Sequence, residues 1–253
     1  MTDTAFAGAA EAAGQDGAPP SLHPARTCLA CPVRSRAACG CVDEAGLAAL
    51  NALGRKQRLE RGQALSWAGD ESLSCGMLIS GMLKLSAATA GGREQIVGLL
   101  YPSDFVGRLY AEDRAEVTVS ALTDVELCLF PRPSFEQFLS AHADMERRLF
   151  RAALTALDDA RARMLMLARR SAEERIAGFL LEMADRFAPE GGEGEAFDLP
   201  LTRGQIADVL GLTIETVSRQ LTRLKSAGVI RLKGARAMAV ADRDALEMRA
   251  EAA

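Results

Sequence analysis

The stretch Thr202–Lys225, TRGQIADVLGLTIETVSRQLTRLK, constrains this chain more than any other. Thr202 can cap a helix, with Gln205 three residues on to close a capping box. Ile206, Val209 and Leu210 then place an apolar stripe on one face. Gly211 stands where a sharp turn needs a positive φ. Thr213 can cap a second helix, along which Val217, Leu221 and Leu224 recur at helical spacing. Ala207 falls where the two helices would cross, and a small side chain lets them approach. The Ala207–Gly211–Val217 spacing is that of helix-turn-helix units that read DNA.

The other face of the second helix carries Glu215, Ser218, Arg219 and Thr222 at i, i+3, i+4 and i+7. Arg219 can donate twice to guanine O6 and N7, and Glu215 can accept from cytosine N4. The plainer alternative is that Glu215 complements the helix dipole and Arg219 is a solvated charge. The surroundings favour reading. Between Thr202 and Arg236 there are seven Lys and Arg against Asp208 and Glu215, a local balance of +5 in a chain whose net charge is −4. A basic patch on an acidic protein suits a phosphate backbone. Val229–Leu232 and Ala237–Val240 flank Lys233-Gly234-Ala235 as a hairpin, so the unit is winged, with Lys233 and Arg236 placed to touch phosphates.

The second informative stretch is Cys28–Cys41, CLACPVRSRAACGC, spaced C-x2-C-x7-C-x-C. Thiolates this close can converge on one metal centre, either tetrahedral zinc or an iron–sulfur cluster. Arg34 and Arg36 would lower the thiol pKa values for either metal. The spacing alone leaves both open, and all four zinc ligands could come from this segment.

Between and beyond these stretches the chain divides cleanly. Met1–Ser21 is Ala/Gly-rich and reads as disordered. From Leu47 to Phe138 short apolar runs (Cys75–Ile79, Met82–Ala87, Gln95–Leu100, Glu116–Ala121, Val125–Phe130) are broken by Gly and Pro turns, the pattern of an all-β roll. In the last run Val125, Leu127 and Leu129 alternate onto one face, leaving Glu126, Cys128 and Phe130 on the other, away from the expected core. Cys75 reads as core. Asp144–Ala168 reads as one long helix. Phe150, Ala153, Leu157, Ala160, Met164 and Leu167 step 3, 4, 3, 4, 3 along it, an a/d seam that favours a coiled-coil homodimer over ordinary amphipathic packing. Ser171-Ala-Glu-Glu174 is a capping box opening a helix to Phe187. Pro189–Ala196 reads as a solvated loop, and the tail from Asp242 shows no readable role.

No apolar run is long enough to span a membrane and no secretory signal opens the chain, so the cytoplasm is expected, with reduced thiols. A thiol oxidoreductase using Cys28 and Cys31 is disfavoured, because no βαβ pattern surrounds them. Haem is a poor ligand for the roll, because the histidines, His23 and His142, lie outside its strand-like region Leu47–Phe138.

Leu201-Thr202-Arg203-Gly204, Gly211-Leu212-Thr213 and Ile214-Glu215-Thr216-Val217-Ser218-Arg219 closely resemble the DNA-binding domain of the CRP–FNR family of transcription regulators, FNR branch. Ile79-Ser80-Gly81-Met82-Leu83-Lys84 and Glu94-Gln95-Ile96 resemble the same family's sensor roll. The resemblance implies that Glu215, Ser218 and Arg219 read a palindromic TTGAT-N4-ATCAA-type site. It implies a [4Fe–4S] cluster on Cys28, Cys31, Cys39 and the distant Cys128, which precedes Pro131 and Phe135 as the family's fourth ligand does; Cys41 is then spare or a substitute. It also implies oxygen-responsive control of genes for anaerobic or microaerobic metabolism, with RNA polymerase touched near Thr89–Arg93, although Arg93 departs from the acid of the best-known member. The family's other branch binds a cyclic nucleotide. Here Gly107-Arg108-Leu109 and Glu116-Val117 replace its phosphate-binding pattern, and an acid repels a phosphate. A zinc or redox-thiol site in place of the cluster is the alternative. The expected fold is α+β: tail 1–21, cysteine-rich segment 22–43, jelly-roll-like β-roll sensor 44–142, dimerisation helix 143–170 and winged helix-turn-helix 171–253. The helix seam is expected to be the only switchable element between cluster and reader.

Overall fold

The computed structural model describes residues 28–89, 91–92, 94–110, 114–188, 194–234 and 236–251. The tail 1–21, Arg93, Ala235 and most of the Pro189–Ala196 loop lie outside them. The roll is two four-stranded antiparallel sheets. One runs in the order β1 (Arg55–Leu59), β8 (Val125–Pro131), β3 (Ser74–Ser80), β6 (Phe105–Val106); the other β2 (Ala64–Ser66), β7 (Thr118–Ala121), β4 (Leu83–Ala88), β5 (Glu94–Leu100). Their inner faces meet in an aliphatic core that includes Leu59, Leu78, Leu83, Val106, Val119, Val125, Leu127 and Leu129. The alternation read from β8 therefore holds on its inner side.

The outer side differs from expectation. Phe130 is buried, stacked on Phe135 with ring centroids 4.9 Å apart. A second core there joins α1 (Glu44–Leu53), α2 (Arg132–Ser140) and the start of α3 (Ala143–Arg169) to the sheet, through Leu47, Leu50, Phe135, Phe138, Leu139, Met145 and Leu149. The roll was expected to be strand from Leu47 onward. Instead Asp43 caps α1 by accepting from the Gly46 amide at 2.8 Å, and Leu47 and Leu50 form a helical stripe.

The C-terminal unit holds α4 (Ala172–Phe187), a three-stranded sheet ordered β10 (Ile230–Lys233), β11 (Ala237–Val240), β9 (Phe197–Asp198), the pair α5 (Arg203–Leu210) and α6 (Ile214–Ser226), and α7 (Arg243–Ala250). Both expected capping boxes form, Ser171 with Glu174 and Thr202 with Gln205. Gly211 adopts φ 62°, ψ 41°, a left-handed conformation that a side chain would strain. The tail from Asp242 does have a role. Asp242 caps α7, and fully buried Leu246 inserts among Ile176, Phe179 and Leu180.

This core does not stop at the domain edge. Ile96 and Leu99 on β5, with Met82, Tyr101 and Leu122 at the ends of strands of the second sheet, belong to the same apolar cluster as Ile206 and Leu210. Gln95 donates to the Asp208 carbonyl, Arg61 to the Pro200 carbonyl, and the Tyr101 hydroxyl to Glu182 at 2.9 Å. The roll thus meets the helix-turn-helix directly, and the seam is not the only link between the two ends.

Candidate cysteine centre and DNA-reading face

Cys28, Cys31, Cys39 and Cys128 line one cavity of about 140 Å³. Three come from the N-terminal segment, which is pinned by Val33 and Ala37 against Ile79 on the first sheet. A chain of turn bonds closes the loop: Arg34 amide to Cys31 carbonyl, Ala37 amide to Val33 carbonyl, Gly40 amide to Ala37 carbonyl. The fourth comes from the outer side of β8. Gly76 on β3 makes that approach feasible, since a Cβ there would stand 2.1 Å from the Cys128 carbonyl oxygen. The remaining wall is mostly apolar, with Ile79, Met77, Phe130, Leu50 and Met145, and its other polar groups are Asn51, Arg55 and Lys56. Cys41 is exposed and donates to the Ala38 carbonyl; Cys75 is buried in the second core; neither lines the cavity.

All six cysteines are unpaired thiols. Burial pushes Cys28 up, Cys39 to about 11 and Cys128 to about 12, and neighbouring thiols push the same way. The expected lowering by arginines is overridden: Arg34 does favour the thiolates of Cys28 and Cys39, but desolvation is the larger effect. Thiols held protonated in this way become thiolates when a metal's charge replaces the protons. Among the described residues no three His, Cys, Asp or Glu side chains meet closely enough to hold a single ion. The thiols instead stand around a space. An all-sulfur set on the walls of a cavity fits a [4Fe–4S] cluster, which takes one thiolate at each corner.

The same segment grips the long helix. Arg148 Nη2 donates to the Ser35 and Arg36 carbonyls at 2.9 and 3.0 Å, and Met145 and Leu149 are buried against it. The expected seam begins at the next residue. Phe150 is 64% exposed, Leu157 45% and Met164 62%, and Ala153 and Ala160 share that surface. Leu167 departs from the seam: it is half-buried, and a Cβ at Gly211 would stand 3.2 Å from its Cδ2. Arg175, which the sequence reading passed over, ties this end together by donating to the Leu167 carbonyl at 2.7 Å and the Leu210 carbonyl at 3.0 Å.

On α6, Val217, Leu221 and Leu224 are buried and the opposite face is open. Thr213 caps the helix by accepting from the Thr216 amide. Glu215 and Arg219 are exposed, and Ser218 is half-buried. Backbone hydrogen bonding at the helix N-terminus, then Thr213, hold the Glu215 carboxyl below its ordinary value, so it is an acceptor at neutral pH. Arg219 reaches Thr216 only loosely, at 3.4 Å, and its guanidinium is available. Two further groups stand on this face. Arg203 donates to Ser218 Oγ at 3.2 Å, and Ile214 is 52% exposed beside Glu215, placed to meet a thymine methyl. Lys233 and Arg236 are exposed at the hairpin, as expected for a wing.

Fold and reading face define a winged-helix, DNA-binding transcription regulator. Residues 174–249 match the Crp-like helix-turn-helix domain, and residues 56–142 the cyclic nucleotide-binding domain. The chain is 41% identical over 220 residues to a "Probable transcriptional activator" of Rhizobium leguminosarum bv. viciae, covering 87% of this chain and 91% of that one. It is 41% identical over 228 residues to the transcriptional activator protein FnrL of Cereibacter sphaeroides, covering 88% and 90%. The solved structure of FixK2 from Bradyrhizobium japonicum superposes with a TM-score of 0.71 at 28% identity, covering 78% of this chain and 96% of that one. The chain belongs to the CRP–FNR family, and it is a DNA-binding transcriptional activator of that family. No helix among the described residues is long and apolar enough to cross a membrane.

Proposed function

We propose that this regulator responds to oxygen through a [4Fe–4S] cluster held by Cys28, Cys31, Cys39 and Cys128, and that the response is a change in dimerisation. The observation that carries the reading is a shared wall. The segment bearing three of the thiols packs on Met145, Arg148 and Leu149, immediately before the exposed seam at Phe150. When bound, the cluster supplies a cross-link between segment and sheet that oxygen can remove. The chain's own residues do the rest: Val33 and Ala37 seat the segment, Arg148 clamps it to the helix, and the seam presents Phe150, Leu157 and Met164 to a second copy. A two-fold dimer sets two α6 helices one turn of DNA apart, on a palindrome of the TTGAT-N4-ATCAA type. RNA polymerase is the further partner. The roll is read as a scaffold and not a nucleotide pocket, because Gly107-Arg108-Leu109 and Glu116-Val117 replace the phosphate-binding pattern and an acid repels a phosphate.

Anaerobically purified protein is expected to be brown. Replacing Cys28, Cys31, Cys39 or Cys128 by Ser should abolish the colour, and replacing Cys75 or Cys41 should leave most of it. A colourless protein carrying one zinc per chain would overturn the cluster. Sedimentation velocity before and after air tests the second half: a dimer that persists in air after colour and DNA binding are lost would overturn control by dissociation.

A further inference from the structure

We propose that Lys56 is a cation that offsets the negative charge of the iron–sulfur centre on these four thiols, and that Glu126 sets how strongly it does so. The inference rests on the cluster reading above. A [4Fe–4S] core with four thiolates is anionic, and the wall around it is mostly apolar. Placing such a charge out of water is costly unless an opposite charge faces it. Lys56 is on that wall. In the β1–β8 ladder it lies directly opposite Cys128, so the backbone fixes where its side chain starts. Glu126 stands two residues before Cys128 on the same side of β8, and its Oε1 is 3.1 Å from Lys56 Nζ.

A compact ammonium suits a diffuse anion that offers no fork for bidentate hydrogen bonding. The Lys56 side chain is 51% exposed, so solvent screens its effect to a several-fold one. Glu126 is the more buried partner at 23%. Its carboxylate partly neutralises the Lys56 ammonium two residues from Cys128, and the ladder still positions the lysine stem without it.

Charge and packing therefore predict different things. Lys56→Gln removes a positive charge and Glu126→Gln a negative one, with little change of volume in either case, and Lys56→Arg conserves charge. The experiment follows the visible absorbance of anaerobic, cluster-loaded protein after addition of a ferrous-iron chelator. Thermal melts confirm that each variant is folded. Lys56→Gln should lose its colour roughly three- to tenfold faster than the parent, Glu126→Gln more slowly, and Lys56→Arg within about twofold. A folded Lys56→Gln that never takes up colour, while Lys56→Arg does, is the same result at its limit. Equal rates in all four proteins overturn the proposal. So do shifts of Lys56→Gln and Glu126→Gln in the same direction, or Lys56→Arg behaving like Lys56→Gln. A parent protein that takes up no colour under reconstitution overturns the cluster reading itself, a result distinct from any of these.

Discussion

Arg148→Met tests the joint between the cysteine segment and the dimer helix. Methionine keeps most of the aliphatic stem beside Leu149 and removes the two hydrogen bonds from Nη2 to the Ser35 and Arg36 carbonyls. Hydrogen bonds from a charged donor contribute about 1.5–3 kcal/mol each when buried. These are partly exposed, so the pair together is worth about 1–2 kcal/mol, or roughly a 5- to 30-fold change in how firmly the segment is seated. Linkage allows the dimer constant to shift by that factor at most. The assay is sedimentation velocity over a concentration series without oxygen, normalised to cluster content by visible absorbance. The expected outcome is a variant with nearly normal colour whose dimer constant weakens several-fold. Normal colour with an unchanged dimer constant would refute the reasoning, because segment and helix would then be neighbours that are not coupled.

Arg219→Ala should cost about 1–3 kcal/mol per half-site in specific DNA binding and leave the melting temperature unchanged, since the side chain is exposed; titration of labelled duplexes with altered half-sites checks both affinity and the base affected. Arg175→Met removes donors to the Leu167 and Leu210 carbonyls and should lower DNA affinity at constant dimer fraction, measured by the same titration alongside sedimentation.

Much of the fold was legible because its signals are local. Thr202, Gln205, Gly211 and Thr213 are a cap, its partner, a left-handed turn and a second cap, and all four sit where the spacing put them. The alternation of Val125, Leu127 and Leu129 located the inner face of β8 for the same reason. Helices α1 and α2 were missed because they are short and lie within a region dominated by strands; Leu47 and Leu50 make sense only once Phe130 and Phe135 are seen beneath them. Lys56 and Arg148 were invisible for a different reason. Each acts on groups far away in the chain, through a strand register in one case and a helix laid over a loop in the other. Burial likewise reversed the expectation for the thiols, because a spacing shows which arginines are near and not how much water is lost.

The direct contact between roll and reader raises the question of which route carries the signal. The cysteine centre lies on the outside of the first sheet, at Cys128, Met77 and Ile79, whereas α5 packs against β5 of the second. A signal through the roll would have to cross the aliphatic core between them. A signal along α3 needs only the Arg148 clamp at one end and Arg175 at the other. Ile96→Asp separates the two. Ile96 is fully buried in the core shared with Ile206 and Leu210 and faces away from the cysteine centre. A carboxylate there, without a partner, costs several kcal/mol or takes up a proton, and either way it weakens the docking. In calorimetry the parent should unfold roll and reader together, and the variant should split into two transitions. Its colour should survive. If its dimer fraction still falls on exposure to air, and DNA binding falls with it, the helix alone transmits. If dimerisation responds normally but DNA affinity no longer does, the roll's grip on α5 is part of the switch, and the dissociation mechanism is insufficient.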